Sequence, residues 1–229
     1  ASSNSKKTSD KPTNLSSLSS LLADGSLRVG SLKYGKTNAS NINIHLKADG
    51  QKLNFSPLSA KIDDSQIKGS FAISQFAKPL YSFDLDIDQL DVDKYASTSG
   101  TETKASGDSK PLDLSALKTL NADGNLRIGN LKYGKTKASN IRIDLKADGQ
   151  KLSLNPMAAK IDDSQVNATV GISRFSDPIY SFKVNIDRLD ADRYITKSSS
   201  NSKPSGDSPI DLSALKKLNA SGEAKIGWL

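Results

Sequence analysis

A duplicated unit is the feature that most constrains the fold of this chain. Residues 24–95 align without a gap on residues 123–194, and about three residues in five are identical. Three short strings, Leu32–Thr37, Ala48–Leu53 and Ala60–Gln66, recur unchanged 99 residues later. A third copy begins at Pro209. Self-similarity at a fixed period indicates one supersecondary unit used repeatedly.

Within each copy the hydrophobic pattern has a period of two. Ile42, Ile44 and Leu46 alternate with polar residues, and Asp49-Gly50 then supplies the pair typical of a tight hairpin turn. The alternation breaks near Pro57 and resumes in three further segments separated by turn residues. The pattern predicts a mainly β fold, with tandem antiparallel β-meander units of about five strands each.

Composition shifts predict how the repeats and linkers divide the chain. The expected order is a linker at 1–14, a first β repeat at 15–95, a Ser/Gly-rich linker at 96–110, a second repeat at 111–195, a Ser-rich linker at 196–208 and the truncated start of a third repeat at 209–229. The chain opens without Met or an apolar leader, so we read it as the interior of a longer protein.

Each linker runs into a short segment with helical spacing. In residues 112–120, Leu114, Leu117 and Leu120 recur after Asp113, which is a plausible N-cap, and Ile210–Leu218 repeats this pattern. One short helix per unit is therefore expected, packed on one side of the sheet.

The strands predict a sheet that is apolar on one face and polar on the other, and this suits a chain that is only 35% hydrophobic. One nine-residue helix cannot cover about five strands, so this face is expected to curve into a groove and to be covered by other parts of the protein or by an apolar ligand. The predicted members of this face are Ile42, Ile44, Leu46, Leu53, Phe55, Ile67, Phe71, Ile73, Phe83, Leu85, Ile87, Ile141, Ile143, Leu145, Leu152, Leu154, Val166, Val170, Ile172, Phe182, Val184 and Ile186.

Charge and cysteine content exclude several classes of function. The net charge is +7, but 32 basic and 25 acidic residues are interleaved without a Lys/Arg block, so no nucleic-acid partner is expected. The absence of cysteine excludes disulfides and thiolate metal sites.

Carboxylates on one predicted strand initially suggest a calcium site. The cluster consists of Asp84, Asp86, Asp88, Asp91 and Asp93. In the second copy, however, Lys183 and Asn185 replace the first two, so the unit does not require these carboxylates. A solvated strand face is the favoured interpretation.

No other group predicts catalysis. His45 is the only histidine, and Asp144 replaces it in the second copy. Asp63-Asp64 and Asp162-Asp163 are paired carboxylates, but adjacent strand residues point to opposite faces, so a turn is favoured over a two-carboxylate site. We expect no enzyme activity, no metal and no cofactor.

Three segments of the second copy form a connected pattern with the sequence that follows them. The segments are Asp123–Lys132 (DGNLRIGNLK), Ala138–Pro156 (ASNIRIDLKADGQKLSLNP) and Asp187–Tyr194 (DRLDADRY), followed by a low-complexity linker and PIDLSALKKL. This pattern resembles the AsmA family of Gram-negative envelope proteins. It covers nearly everything except the linkers. One departure is Ile62–Ser65 (IDDS), where the family commonly has an aromatic-Gly-Gly turn.

The resemblance implies a periplasmic protein held in the inner membrane by an N-terminal anchor that this chain lacks. The family is similar to bridge-like lipid transporters, so the apolar face is expected to hold phospholipid acyl chains and to act in outer-membrane biogenesis. The alternative is a structural or interaction scaffold of tandem β-repeats in the cell envelope, with the apolar faces sealed against one another.

Overall fold

One continuous β-sheet dominates the molecule. The computed structural model describes residues 14–35, 37–96, 114–190 and 219–228, and in these residues each strand pairs with the next along the chain. The eleven strands are β1 Leu22–Tyr34, β2 Thr37–Asp49, β3 Lys52–Ile62, β4 Ser65–Ser74, β5 Leu80–Asp91, β6 Asn121–Tyr133, β7 Thr136–Asp148, β8 Lys151–Ile161, β9 Ser164–Ser173, β10 Ile179–Arg188 and β11 Ala220–Trp228. The prediction of a mainly β fold is confirmed.

The sheet is mixed, because the pairing changes direction where one copy meets the next. Pairing within residues 22–91 and within residues 121–188 is antiparallel. In contrast, β5 pairs with β6 in parallel, from Tyr81↔Ala122 to Asp91↔Lys132, and β10 pairs with β11 in parallel. In a series of five antiparallel strands, the last strand runs in the same direction as the first. The first strand of the next copy keeps that direction, and it is therefore parallel to the strand it joins.

The predicted short helix takes a tighter form. Ser115–Thr119 is a five-residue 3-10 helix, as is Ser16–Ser20 in the first copy. Leucines three residues apart suit three residues per turn better than 3.6. The one other helical element in the described ranges is a single turn of α-helix, Asp93–Ala96. The predicted N-cap Asp113, the segment Ile210–Leu218 and the bulk of the predicted linkers lie outside the described residues.

The Asp-Gly turns form as the sequence predicts. The carboxylate of Asp49 accepts hydrogen bonds from the backbone N–H of Gln51 (2.9 Å) and Lys52 (2.7 Å), and these bonds lower its pKa. Gly50 has φ +80° and lies so close to the 3-10 helix that an added Cβ would be 2.8 Å from the carbonyl oxygen of Ser19. Glycine is therefore required here for its conformation and for its size.

A β-bulge at the proline of β3 preserves the apolar face. The register between β3 and β4 shifts between Phe55 and Leu58, and the intervening Ser56-Pro57 peptide bond is cis. Ser56 and Pro57 together stand opposite a single residue of each neighbouring strand, and this one extra residue lets Phe55 and Leu58 both pair with β2 residues of the apolar face, Leu46 and Ile44. The second copy has the same shift at its own cis proline.

A small hydrophobic cluster lies at one end of the strands. Phe76, which is 7% exposed, packs with Ala48 and Leu53, and Leu15 and Leu18 from the 3-10 region pack against this cluster. The N–H of Leu15 donates to the carbonyl of Phe76 (2.8 Å) and anchors the segment. No large side chain in the described part of the chain is fully buried, so this sheet has no second layer packed over it there.

Candidate apolar binding surface

One face of the sheet carries an apolar surface that continues through all eleven strands. Residues paired in register project on the same side of a sheet, and every second residue along a strand returns to that side. We use the word rung for a row of residues that pair in register across neighbouring strands. The rung Ile67–Ile87–Ile128–Ile141 passes from the first copy to the second without a polar residue. We call this surface the apolar face.

The residues that the sequence predicts for the apolar face all lie on this one side of the sheet. In the first copy, Ile44 pairs with Leu58, Phe71 with Phe83 and Gly69 with Leu85. The second copy repeats this arrangement. Its rungs are Ile143 with Met157, Leu145 with Leu154, Leu152 with Ile172, Val170 with Phe182, Ala168 with Val184 and Val166 with Ile186.

The first strand of each copy contributes further residues to the apolar face, and the predicted set does not include them. Leu27 and Val29 of β1 pair with Ile44 and Ile42, and Leu126 and Ile128 of β6 occupy the equivalent places. Their alternating pattern was sufficient to include them. Leu58 and Met157 were also missed, for a different reason: the bulge changes which residues face the apolar side, and alternation alone does not reveal it.

Aromatic side chains concentrate in two adjacent rungs of the apolar face, one with Phe55, Phe71 and Phe83 and the next with Tyr81. The ring centroids of Phe55 and Phe71 are 6.0 Å apart, and those of Phe71 and Tyr81 are 6.2 Å apart. Phe83 continues the rung onto Gly124, where an added Cβ would lie 2.6 Å from the Phe83 ring. The aromatic side chain of one copy thus rests over the glycine of the next.

The apolar face remains partly open to solvent. Phe182 is 39% exposed, although it lies in a central rung between Val170 and Gly222. Most other large side chains of this face are half-buried by their neighbours in the sheet alone. A surface of this kind has apolar area available for contact with a further hydrophobic group.

The opposite face is polar and connected by ion pairs. Arg127 of β6 bonds to the carboxylates of both Asp84 and Asp86 of β5, with 2.5 Å between its Nε and Asp86 Oδ1. The hydrogen bond from Arg127 lowers the pKa of Asp86, and the same bonds raise the pKa of the guanidinium. All three side chains are about half exposed, so these pairs help to align the copies without forming a reactive site.

The other aspartates of the former calcium candidate also have structural partners. Asp91 and Asp93 lie 3.3 and 3.4 Å from Lys132 Nζ, and hydrogen bonding to Asp91 is the largest cause of a raised Lys132 pKa. Asp88 accepts a hydrogen bond from the backbone N–H of Gln66 (2.7 Å). Within the described ranges, no group of three or more His, Asp or Glu side chains is arranged to hold a metal ion.

The paired aspartates after β3 form a turn. The N–H of Asp63 donates to the carbonyl of Asn38 (2.7 Å), and Asp63 Oδ1 accepts from the N–H of Asn38 (2.9 Å). Asp64 bonds to Lys94, which lowers the pKa of Asp64 and raises that of Lys94. The two carboxylates therefore engage separate partners.

The lone histidine joins polar neighbours on the same side of the sheet. His45 Nε2 lies 3.3 Å from an oxygen of Asp24, and its Nδ1 is 3.1 Å from the hydroxyl of Ser26. Both neighbours belong to β1. This arrangement ties β1 to β2.

Two clefts lie at the ends of the strands. A cleft of about 550 Å³ at the ends of the strands is lined by charged groups, among them Lys61, Asp64, Lys94 and Lys132. Another, of about 740 Å³, lies at the opposite ends of the strands beside Lys118 and Phe175. A third cleft, of about 330 Å³, includes Ile87, Ile128 and Ile141 of the apolar face in its lining.

Among the residues that the structure describes, no helix has the length and hydrophobicity needed to cross a membrane. Comparisons with protein-family models, with curated proteins and with solved structures found no match to this chain.

Proposed function

We propose that this chain is a non-enzymatic segment of a Gram-negative envelope protein, which holds phospholipid acyl chains on its apolar face. Each copy contributes five strands and a short capping segment to a curved groove, and the groove guides lipid between the inner and outer membranes. The observation that carries the proposal is the continuity of the apolar face across the β5–β6 junction.

The dimensions of the apolar face suit acyl chains. Eleven strands spaced by about 4.8 Å extend over roughly 48 Å, so several lipids fit side by side. Along β1, the apolar positions from Ala23 to Val29 span about 20 Å. The acyl region of one bilayer leaflet is about 15 Å thick, half of a hydrocarbon core of about 30 Å. Chains lying along the strands would remain on apolar side chains while headgroups reach water.

The mechanism is physical and requires no bond to form or break. Transfer of apolar surface out of water stabilises the bound lipid by about 25 cal/mol per Å². Similar rungs recur along the sheet, so neighbouring positions bind with similar free energy and a lipid can move between them. A parent protein anchored in the inner membrane would supply the lipid at one end of such a groove.

Lipid pickup from vesicles tests the proposal. The 229-residue chain is mixed with vesicles of phosphatidylethanolamine and phosphatidylglycerol, the vesicles are removed by centrifugation, and phospholipid remaining with the protein is measured by mass spectrometry. We expect retention by the wild type and loss in Ile143→Asp and Phe182→Asp, since a carboxylate desolvated by acyl chains is strongly unfavourable.

Asn185→Asp is the matched control, because it adds the same charge to the polar face of β10. Asn185 pairs in register with Lys225, and the equivalent position of β5 is already Asp86, so the fold accommodates this change. Wild-type protein without phospholipid, or retention unchanged by both apolar-face variants, would contradict the proposal.

Small-angle scattering of the same chain distinguishes the lipid-binding groove from the alternative, a structural scaffold of tandem β-repeats. Independent repeats on flexible linkers would scatter as beads, whereas a sheet joined by a ten-rung β5–β6 ladder would scatter as one elongated body. The ladder favours the elongated body and therefore the groove.

A further inference from the structure

Among the residues that the structure describes, the outer edge of β1 has no neighbouring strand, whereas its counterparts in the later copies have one. β6 and β11 are copies of β1, and each receives a parallel neighbour, β5 and β10 respectively. β1 pairs with β2, and no strand pairs with its other edge among the described residues. Exposed strand edges present unpaired backbone groups that readily accept an added strand.

Gly25 and Gly30 of β1 each leave a gap beside the strand, which we call a notch. At the equivalent glycines of the later copies, atoms of the neighbouring strand fill this gap. A Cβ at Gly124 would lie 2.6 Å from the ring of Phe83, and a Cβ at Gly222 would lie 2.6 Å from the ring of Phe182. At the equivalent Gly25, an added Cβ would meet nothing within 4 Å.

The second notch repeats this relationship. A Cβ at Gly129 would lie 2.5 Å from the carbonyl oxygen of Asp88, and one at Gly227 would lie 2.6 Å from that of Asp187. At Gly30 nothing lies within 4 Å. Both notches of β1 are shaped for a parallel strand and stand empty.

The positive charge of Arg28 favours a strand with the sequence of β5 over one with the sequence of β10. Arg127 of β6 bonds to Asp84 and Asp86 of β5, and Arg28 is its counterpart in β1. In the described part of the chain, no carboxylate forms an ion pair with Arg28. The β10 strand instead has Lys183 and Asn185 at the acidic positions, so it would bring a like charge towards Arg28.

Apolar exposure marks the same edge. Leu27 and Leu32 are 56% and 55% exposed, whereas their counterparts Leu126 and Leu131, beside β5, are half-buried. Leu22 at the start of the strand is 78% exposed. A strand placed along β1 would cover this area.

We propose that the β1 edge is a docking site for a parallel β-strand of the β5 type. Its aromatic residue would lie over Gly25, its backbone would pass over Gly30, and its two aspartates would face Arg28. The proposal does not rest on lipid binding, because backbone pairing, the glycine notches and charge define the site.

Peptide binding to the full 229-residue chain tests this. One fluorescent peptide carries residues 80–91 (LYSFDLDIDQLD) and the other carries residues 179–190 (IYSFKVNIDRLD), and binding is followed by anisotropy. We expect the first peptide to bind and to slow amide hydrogen exchange in β1. The second should bind about fivefold more weakly at low salt, since exposed ion pairs each contribute up to about 1 kcal/mol. In about 1 M salt, where the screening length is about 3 Å, the two affinities should converge.

Two variants test separately what the Gly25 notch and the Arg28 charge contribute to peptide binding. Gly25→Val should abolish binding of both peptides, while its urea midpoint should stay near the wild-type value because the position is open. Arg28→Glu should reverse the preference in favour of the second peptide. Lys47→Val, on β2 away from the edge, is the control and should bind both peptides as the wild type does.

Three outcomes would overturn the proposal. The first is absence of binding by the 80–91 peptide, and the second is exchange protection at β11 instead of β1. The third is self-association of the chain through β1 that this peptide does not displace, because a second copy would then be the occupant.

Discussion

Replacing Gly124 by alanine should weaken the junction between the two copies. The added Cβ would lie 2.5 Å from the carbonyl oxygen of Phe83 and 2.6 Å from its ring. Carbon atoms in ordinary contact are about 3.5–4.0 Å from their neighbours, so about 1 Å must be gained. The ring can rotate, but the carbonyl belongs to the β5–β6 ladder. Overpacking of this kind costs about 1–3 kcal/mol.

Gly25→Ala is the matched control, because it is the same substitution at the same position of the repeat with no atom within 4 Å. Each alanine also reduces the conformational entropy of the unfolded chain, which stabilises by about 0.4–1 kcal/mol at both sites and cancels in the comparison. The difference between the two variants therefore isolates the close contact of Gly124 with β5.

Urea unfolding followed by circular dichroism measures this difference. With a slope of about 2 kcal/mol per molar urea, the midpoint of Gly124→Ala should fall below that of Gly25→Ala by about 0.5–1.5 M. Equal midpoints would contradict this prediction, because they would mean that Phe83 does not rest on Gly124 in solution.

Further predictions concern the small core, the polar face and the hairpin turn. Phe76→Ala should destabilise the fold by about 3–5 kcal/mol in urea unfolding, whereas Trp228→Ala, at a side chain that is 79% exposed, should change it little. Arg127 lowers the pKa of Asp86, so this carboxylate stabilises the fold above its ordinary pKa and the effect is lost as the pH falls through the lowered value. Asp86→Asn should therefore lower stability at pH 7 by less than about 1 kcal/mol, and its difference from wild type should shrink below about pH 4. Asp49→Ala removes the acceptor of two backbone hydrogen bonds, so amide exchange at the β2–β3 turn should speed up while exchange in the central strands is unchanged.

Local chemistry made the strands and turns predictable from the sequence. Period-two alternation placed Ile42, Ile44 and Leu46 on one face, and the Asp49-Gly50 pair marked the turn, since both effects depend on neighbouring residues alone. The same alternation brought residues of the two copies onto one surface. This is why the predicted members of the apolar face lie together.

The remaining features depend on contacts between distant residues. The bulge at Pro57 shifts the strand so that Leu58 reaches the apolar face, and the pattern within β3 does not indicate which residue is extra. The parallel β5–β6 junction follows from an odd number of strands, but it also requires the two copies to join in one sheet. The glycine at 124 looked ordinary in the sequence, and only the position of Phe83 gives it a role.

Because the copies join in parallel into one sheet, the number of copies sets the length of that sheet. Each copy is added to the last by translation, without reversing direction, so the array has no geometric reason to close after a set number of strands. One duplication in the gene would lengthen the sheet by five strand spacings, roughly 24 Å. Gain or loss of a repeat could thus change the length of the sheet in fixed steps, leaving the sequence of each repeat, and the surface it presents, unchanged.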